Sequence, residues 1–365
     1  MRVKILVLFL FLNYSARIIM FAICFFLVAA LFANDYYYYR LSGGTIVPAN
    51  DNETDVELVG EVIVFELFDD YYTITVDFNF YNHGESVNLL VGFPYASGIR
   101  GHITYNMEQS LFDFQSWVNG SPVETRNTPI DVDLSDQRLY ADYYTYTQDV
   151  DYAYTKDVFF PLQQNTRTRV MYKARYGSDG GSRLASYLYG SGKGWHNCIG
   201  KIEVIIKNNS RYWTYGIKAG VPSHNRESLN NEDLNHHWNN NDLVFVLENI
   251  EPDYNDTIEV LLDRPMFDFS MFRPLPRSFD YWSAILRPNQ LWYLTGEQLR
   301  ILRNLFYALH GYNFRDTALL NYFSSAFGSY EVNHNFNENM ITETEMRNIE
   351  IIQREELKRT DVQRR

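Results

Sequence analysis

Cysteine is scarce in this chain of 365 residues, which has only Cys24 and Cys198. If an N-terminal segment that contains Cys24 is removed, the remaining cysteine cannot form an internal disulfide. Stability then depends on packing, and we expect Cys198 to be a small buried apolar residue. A disulfide between two chains is the alternative.

Basic residues are also few, with 32 Lys and Arg against 45 Asp and Glu and a net charge of −13. The first 33 residues hold three of the basic residues and no acid, so the rest of the chain carries 29 basic against 45 acidic residues, a balance of −16. Nucleic acid and anionic lipid surfaces bind clustered Lys or Arg. The charge therefore argues against both as partners.

The two longest uninterrupted apolar runs lie at the N-terminus, and both are short. Ile5–Leu12 and Ile18–Leu31 both fall below the roughly 20 residues of a spanning helix. Arg17 precedes the second run, and small alanines end it before Asn34, as at a signal-peptide cleavage site. The sequence predicts that residues 1–33 are an export signal, with an uncleaved membrane anchor as the alternative. We expect a periplasmic, envelope or secreted protein that touches the membrane only through this segment, if the segment is not cleaved.

Recognisable catalytic motifs are missing from the sequence. It has no His-Glu-x-x-His, no Gly-x-Ser-x-Gly and no Cys-His pair in a known setting. Gly190–Gly194 lacks the spacing of a phosphate loop and is predicted to be a glycine turn. His236 and His237 are adjacent and are predicted to lie in a polar loop. The sequence therefore predicts no catalytic residue and no cofactor.

Strand patterns fill the middle of the chain. Residues 74–80 and 170–176 alternate between apolar and polar side chains, and Asn119-Gly120 is typical of a tight hairpin. Polar loops rather than helices separate the strands. We predict one or two antiparallel β-sandwiches over residues 34–264.

The same region resembles an uncharacterised domain-of-unknown-function family of exported bacterial proteins. The resemblance depends on Gly43–Pro48, Phe80–Asn82 with Leu90–Pro94, the Val118–Gly120 hairpin, and Ser191-Gly192 before Trp195. It implies a body of paired sheets that precedes another module, and it brings no catalytic residues.

Helix signals begin after a stretch rich in proline and aromatics. Thr295 and Gln298 have the spacing of a capping box, and Gly311 can close the helix that starts there. Asp316 can cap a second helix, and Thr342 with Glu345 forms another capping box. We predict a small domain of three helices over residues 277–358, after a stiff connector at 265–276 and before a charged tail at 359–365.

This C-terminal region resembles the YARHG domain of exported bacterial proteins. The resemblance is carried by Tyr307-Ala308-Leu309-His310-Gly311-Tyr312, by Leu302-Arg303-Asn304, by Tyr322-Phe323 and by Asn348-Ile349; Leu309 stands where the family usually has Arg. It implies export and a binding or structural role. We take Tyr307, His310, Gly311 and Tyr312 as candidate binding residues, and we expect His310 to fix the helix end through backbone hydrogen bonds.

Two further patterns lie between residues 131 and 154. Four oxygen-bearing side chains have calcium-loop spacing although position six is not glycine: Asp131, Asp133, Ser135 and Asp142. An acidic solvated loop is the alternative. Tyrosines interleaved with aspartates suit sugar or protein recognition, or fill strand positions. The candidates among them are Tyr143, Tyr144 and Tyr146.

Together these observations favour an exported, non-enzymatic envelope protein. We expect a β-sandwich scaffold and a helical module that binds a cell-wall polymer or an envelope protein. The alternative is a hydrolase of extracytoplasmic polymers, with a carboxylate pair among the many acids.

Overall fold

The structure is a computed structural model of the whole chain. It describes residues 47–48, 54–95, 111–129, 152–179, 182–220, 236–252, 256–263, 267–268, 273–274, 285–327 and 330–363. The predicted signal at 1–33 lies outside these residues. In the described ranges, no helix combines the length and apolar character that crossing a membrane requires.

The first half of the β region contains nine strands among the described residues. They are β1 Val47–Pro48, β2 Val56–Leu67, β3 Tyr72–Asn82, β4 Val87–Tyr95, β5 Leu111–Val118, β6 Ser121–Pro122, β7 Arg126–Pro129, β8 Tyr152–Phe160 and β9 Asn165–Ala174. The second half adds β10 Gly177–Asp179, β11 Ser182–Leu188, β12 Ile199–Asn208, β13 Trp213–Ala219, β14 His236–Asn239, β15 Asp242–Ile250, β16 Thr257–Asp263, β17 Phe267–Asp268 and β18 Arg273–Pro274. His236 and His237 thus lie in a strand, and the prediction of a loop there is wrong.

The strands form one large sheet and two smaller ones, beside the short β17–β18 pair. The large sheet has eight strands in the order β14-β15-β12-β2-β3-β9-β5-β6. The smaller sheets have the orders β1-β4-β8-β7 and β10-β11-β16-β13. The antiparallel prediction is confirmed for most pairs, but β2 and β12 pair in parallel, so the large sheet is mixed.

Aromatic side chains fill the space between the sheets. Phe80 on β3 contacts Phe160 on β8 with ring centroids 5.6 Å apart, and Phe93 on β4 lies 5.3 Å from Tyr172 on β9. Tyr72 donates a hydrogen bond from its hydroxyl to the carbonyl of Ser186, at 3.3 Å. Both small sheets therefore pack on the same face of the large sheet. Burial of each such ring stabilises the fold by roughly 1.5–3 kcal/mol.

The C-terminal region contains three helices, as predicted: α1 Gly296–Leu309, α2 Thr317–Ala326 and α3 Glu343–Gln363. The predicted capping box of α1 is present, because Gln298 N donates to Thr295 Oγ1 at 3.2 Å and Thr295 N donates to Gln298 Oε1 at 2.9 Å. Single 3-10 turns span Gly190–Gly194, Pro288–Leu291 and Glu338–Met340. Helix α3 continues through residue 359, which the sequence prediction had placed in a charged tail.

Two apolar cores result, one in the sandwich and one in the helical region. Each core includes a side chain from the other region: Tyr293 belongs to the sandwich core and Trp213 to the helical core. Cys198, expected to be buried, is only partly buried.

Candidate functional site

The turn that follows α1 is built around Gly311. This residue has φ +75°, a conformation that L-residues other than glycine rarely adopt. Gly311 N donates to Ala308 O at 2.9 Å and Tyr312 N donates to Tyr307 O at 3.1 Å, which closes the helix. Asn333 N donates to Gly311 O at 2.8 Å. The turn is therefore fixed on both sides.

His310 connects this turn to the start of α3. Its Nε2 lies 3.1 Å from Glu345 Oε2. The same carboxylate accepts hydrogen bonds from Thr342 N at 2.7 Å and from Thr342 Oγ1 at 3.0 Å, and it is almost completely buried. The expected backbone hydrogen bonds from the His310 side chain are thus replaced by a carboxylate contact. His310 and Glu345 together hold the two helix ends in place.

An aromatic cluster surrounds Tyr312. Its ring centroid lies 5.8 Å from that of Tyr307, 5.0 Å from that of Phe314 and 5.1 Å from that of Phe336, each approaching edge-on. Tyr330 donates a hydrogen bond from its hydroxyl to the carbonyl of Tyr312. Tyr312 nevertheless remains 36% exposed. It is a fixed aromatic side chain with a solvent-accessible surface.

The structure thus brings four of the sequence candidates together: Tyr307, His310, Gly311 and Tyr312. Two of them, His310 and Gly311, make contacts that build the domain itself. The tyrosine candidates Tyr143, Tyr144 and Tyr146 lie outside the described residues. So do the calcium candidates Asp131, Asp133, Ser135 and Asp142. Within the described ranges, no group of three His, Cys, Asp or Glu side chains is arranged to hold a metal ion.

Two buried polar contacts inside the sandwich were missed from the sequence. Tyr187 donates a hydrogen bond from its hydroxyl to Glu61 Oε2 at 3.0 Å, between β11 and β2. Lys156 on β8 donates from Nζ to Ser116 Oγ on β5 at 2.6 Å. Lys156 and the apolar Val158 are two positions apart on β8, so their side chains lie on the same inward face of the strand. That alternation was a signal available in the sequence.

The helical domain meets the β region at Trp238 on β14. Trp238 donates from Nε1 to the carbonyl of Trp292 at 3.0 Å, and the Arg359 guanidinium lies 4.6 Å from the centroid of the Trp238 ring. Arg359 also donates to the carbonyls of Leu291, at 2.8 Å, and of Leu294. One arginine therefore contacts α3, the segment before α1 and the sandwich at once.

Comparison with known proteins gives one family match, which covers only the C-terminal region. Residues 281–356 match the model of the YARHG domain family. None of the curated proteins matches the chain.

Among solved structures, the chain is similar to a candidate nutrient binding protein from Legionella pneumophila subsp. pneumophila str. Philadelphia 1. The two are 17% identical with a TM-score of 0.47, over 86% of this chain and 97% of the other. The chain is also similar to an M1 zinc metallopeptidase from Deinococcus radiodurans, with 9% identity and a TM-score of 0.26 over 57% of this chain and 42% of that enzyme. At these scores the likenesses support no functional argument.

Proposed function

We propose that this protein is an exported, non-enzymatic envelope protein whose helical YARHG domain binds a cell-wall polymer or a protein partner. The observation that carries the proposal is Tyr312, which is partly exposed although its ring contacts and the Tyr330 hydroxyl hold it in place. Amphipathic rings suit sugar and protein recognition. A ring that is already fixed loses little conformational entropy when it binds.

The β-sandwich acts in this proposal as the scaffold that carries the helical domain. Arg359 and Trp238 connect the two regions through a cation–π contact, and Trp238 adds a hydrogen bond to the carbonyl of Trp292. We also infer that the β region belongs to the uncharacterised family of exported proteins whose motifs it contains. The predicted signal at residues 1–33 supports a place outside the cytoplasm.

Co-sedimentation of purified residues 34–365 with isolated cell-wall sacculi tests the proposal. We expect the protein to pellet with the sacculi, and Tyr312→Ala to weaken binding by about fivefold or more, as loss of one aromatic anchor costs at least about 1 kcal/mol. Phe159→Ala is the matched control, because Phe159 is an exposed ring on β8, 58% accessible, in the sandwich. That variant should pellet like the parent.

Three other outcomes would contradict parts of this proposal. Equal pelleting of both variants would show that the Tyr312 surface is not the contact. If the parent does not pellet, the wall is not the ligand, and a protein partner becomes the remaining form of the proposal. Soluble wall fragments released during the incubation would favour the hydrolase alternative and refute a non-enzymatic role.

A further inference from the structure

Lys156 is a lysine inside the β-sandwich. Its side chain lies on the inward face of β8 and the residue is only 4% exposed. The amine donates to Ser116 Oγ at 2.6 Å and lies 3.4 Å from the carbonyl oxygen of Trp117. Ser116 and Trp117 belong to β5, in the opposite sheet. The contact therefore joins the small sheet to the large one.

The surroundings of this amine favour its neutral form. The positions beside it in the two sheets are apolar, namely Val91 on β4 and Val170 on β9, and the titratable side chains on the same inward faces include the tyrosines Tyr154 on β8 and Tyr95 on β4. Charged side chains on these and neighbouring strands form ion pairs on the outer faces of the sheets. The pairs are Arg126 with Asp157, Arg169 with Asp77, and Lys173 with Asp113. In the part of the chain that the structure describes, the amine contacts a hydroxyl and a carbonyl but no carboxylate, and these replace only part of the hydration that a buried ammonium loses. Burial accordingly lowers the pKa of Lys156 to about 7.

Strand β5 also contacts the small sheet through Phe114, whose ring stacks on Tyr154 of β8 with centroids 4.3 Å apart and lies 5.3 Å from Phe93 of β4. On one side it pairs with β9, but the register shifts between Phe112 and Gln115, where Asp113 has φ +55°. On the other side, within the described ranges, it pairs only with the two-residue strand β6. A bulged strand near the edge of a sheet opens more easily than a central strand. The Lys156 contact and the stacking of Phe114 on Tyr154 therefore hold β5 against β8 together.

We infer that the Lys156–Ser116 contact is a pH-sensitive clasp that holds the β5–β6 hairpin against the four-stranded sheet. In the closed state the amine becomes charged near pH 7, whereas a solvated lysine stays charged up to about pH 10.4. Opening therefore takes up a proton between these values, and lower pH favours it. The equilibrium constant for opening should rise about tenfold for each unit by which the pH falls toward pH 8, and about fivefold from pH 8 to pH 7. Below pH 7 the constant should level off.

Hydrogen exchange of the peptide spanning residues 111–122, measured between pH 6.5 and 9 in the mature chain, tests this inference. After correction for the chemical exchange rate, we expect its protection to fall with decreasing pH as stated. Lys156→Met, which fills the same space without a charge, should show stronger protection and no such dependence. Lys173→Met is the matched control, because Lys173 contacts Asp113 on the same strand from the outer face at 2.9 Å. It should keep the wild-type pH profile.

Two results would refute the inference that the Lys156–Ser116 contact is a pH-sensitive clasp. One is wild-type protection of residues 111–122 that does not change between pH 9 and pH 7. The other is an unchanged pH profile in Lys156→Met. The first result decides the question without any variant, so a folding defect in Lys156→Met would leave the inference testable.

Discussion

Replacement of Gly311 by alanine is expected to destabilise the helical domain through two separable effects. The first is backbone strain, because φ is +75° and an L-residue in this region loses about 1–2 kcal/mol. The second is crowding: an added Cβ would lie 2.7 Å from Asn333 Cβ and 2.8 Å from Asn333 N. The backbone of residue 333 is fixed by its hydrogen bond to Gly311 O and cannot move away without cost. Overpacking of this kind adds about 1–3 kcal/mol, for a total of about 2–5 kcal/mol.

Two other glycines separate these effects. Gly120 has φ +82° but no atom within 4 Å of an added Cβ, so Gly120→Ala should cost only the strain. Gly296 has open space and no such φ, and in the first turn of α1 the Gly296→Ala change should stabilise by up to about 1 kcal/mol.

Urea unfolding followed by circular dichroism gives the free energy of unfolding for each variant. The expected order of stability is Gly296→Ala, parent, Gly120→Ala and Gly311→Ala. A Gly311→Ala variant within about 0.5 kcal/mol of Gly120→Ala, with the same slope against urea, would refute the crowding argument.

Further predictions concern the contacts that fix the helical domain. Glu345→Ala should lower the free energy of unfolding by about 2–3 kcal/mol, because Thr342 N and His310 then lose a buried acceptor. Glu345→Gln keeps an acceptor oxygen and should lower it less. Equal losses for the two variants in urea titrations would contradict the role of that oxygen. Arg359→Lys should cost about 1–3 kcal/mol, since an ammonium cannot reach several carbonyls and the Trp238 ring together. Arg354→Lys is its control, as Arg354 is on the same helix and 71% exposed in its side chain, and should be neutral in the same titration.

The sequence was sufficient to predict the three helices and many of the strands, though not the strand at His236–Asn239, because their signals are local. Alternation in β3 and the capping residues Thr295 and Asp316 depend only on neighbours a few positions away. The parallel pairing of β2 with β12 was not predicted, because no periodicity in either strand specifies a partner so distant in the chain. His310 was placed correctly at the helix end, but its contact with Glu345 depends on how α3 packs.

The tail prediction shows the same limit. Arg359 is a charged residue near the C-terminus, which by composition alone favours a frayed end. Its burial depends on three carbonyls and an indole supplied by other elements. The position of Arg359 therefore depends on how the helical domain packs against the sandwich, which the sequence does not specify.

The parallel pair at the centre of the large sheet has a consequence for how the chain reaches its native state. Residues 60–67 pair with residues 201–208, about 140 positions later in the chain. The central strand β2 therefore lacks one neighbour until β12 has been synthesised, and in that interval its exposed edge can pair with other chains. Folding dominated by such distant pairings is slow. Slow folding would suit the export proposed above, because the chain then stays longer in the unfolded state that passage through a narrow export channel requires.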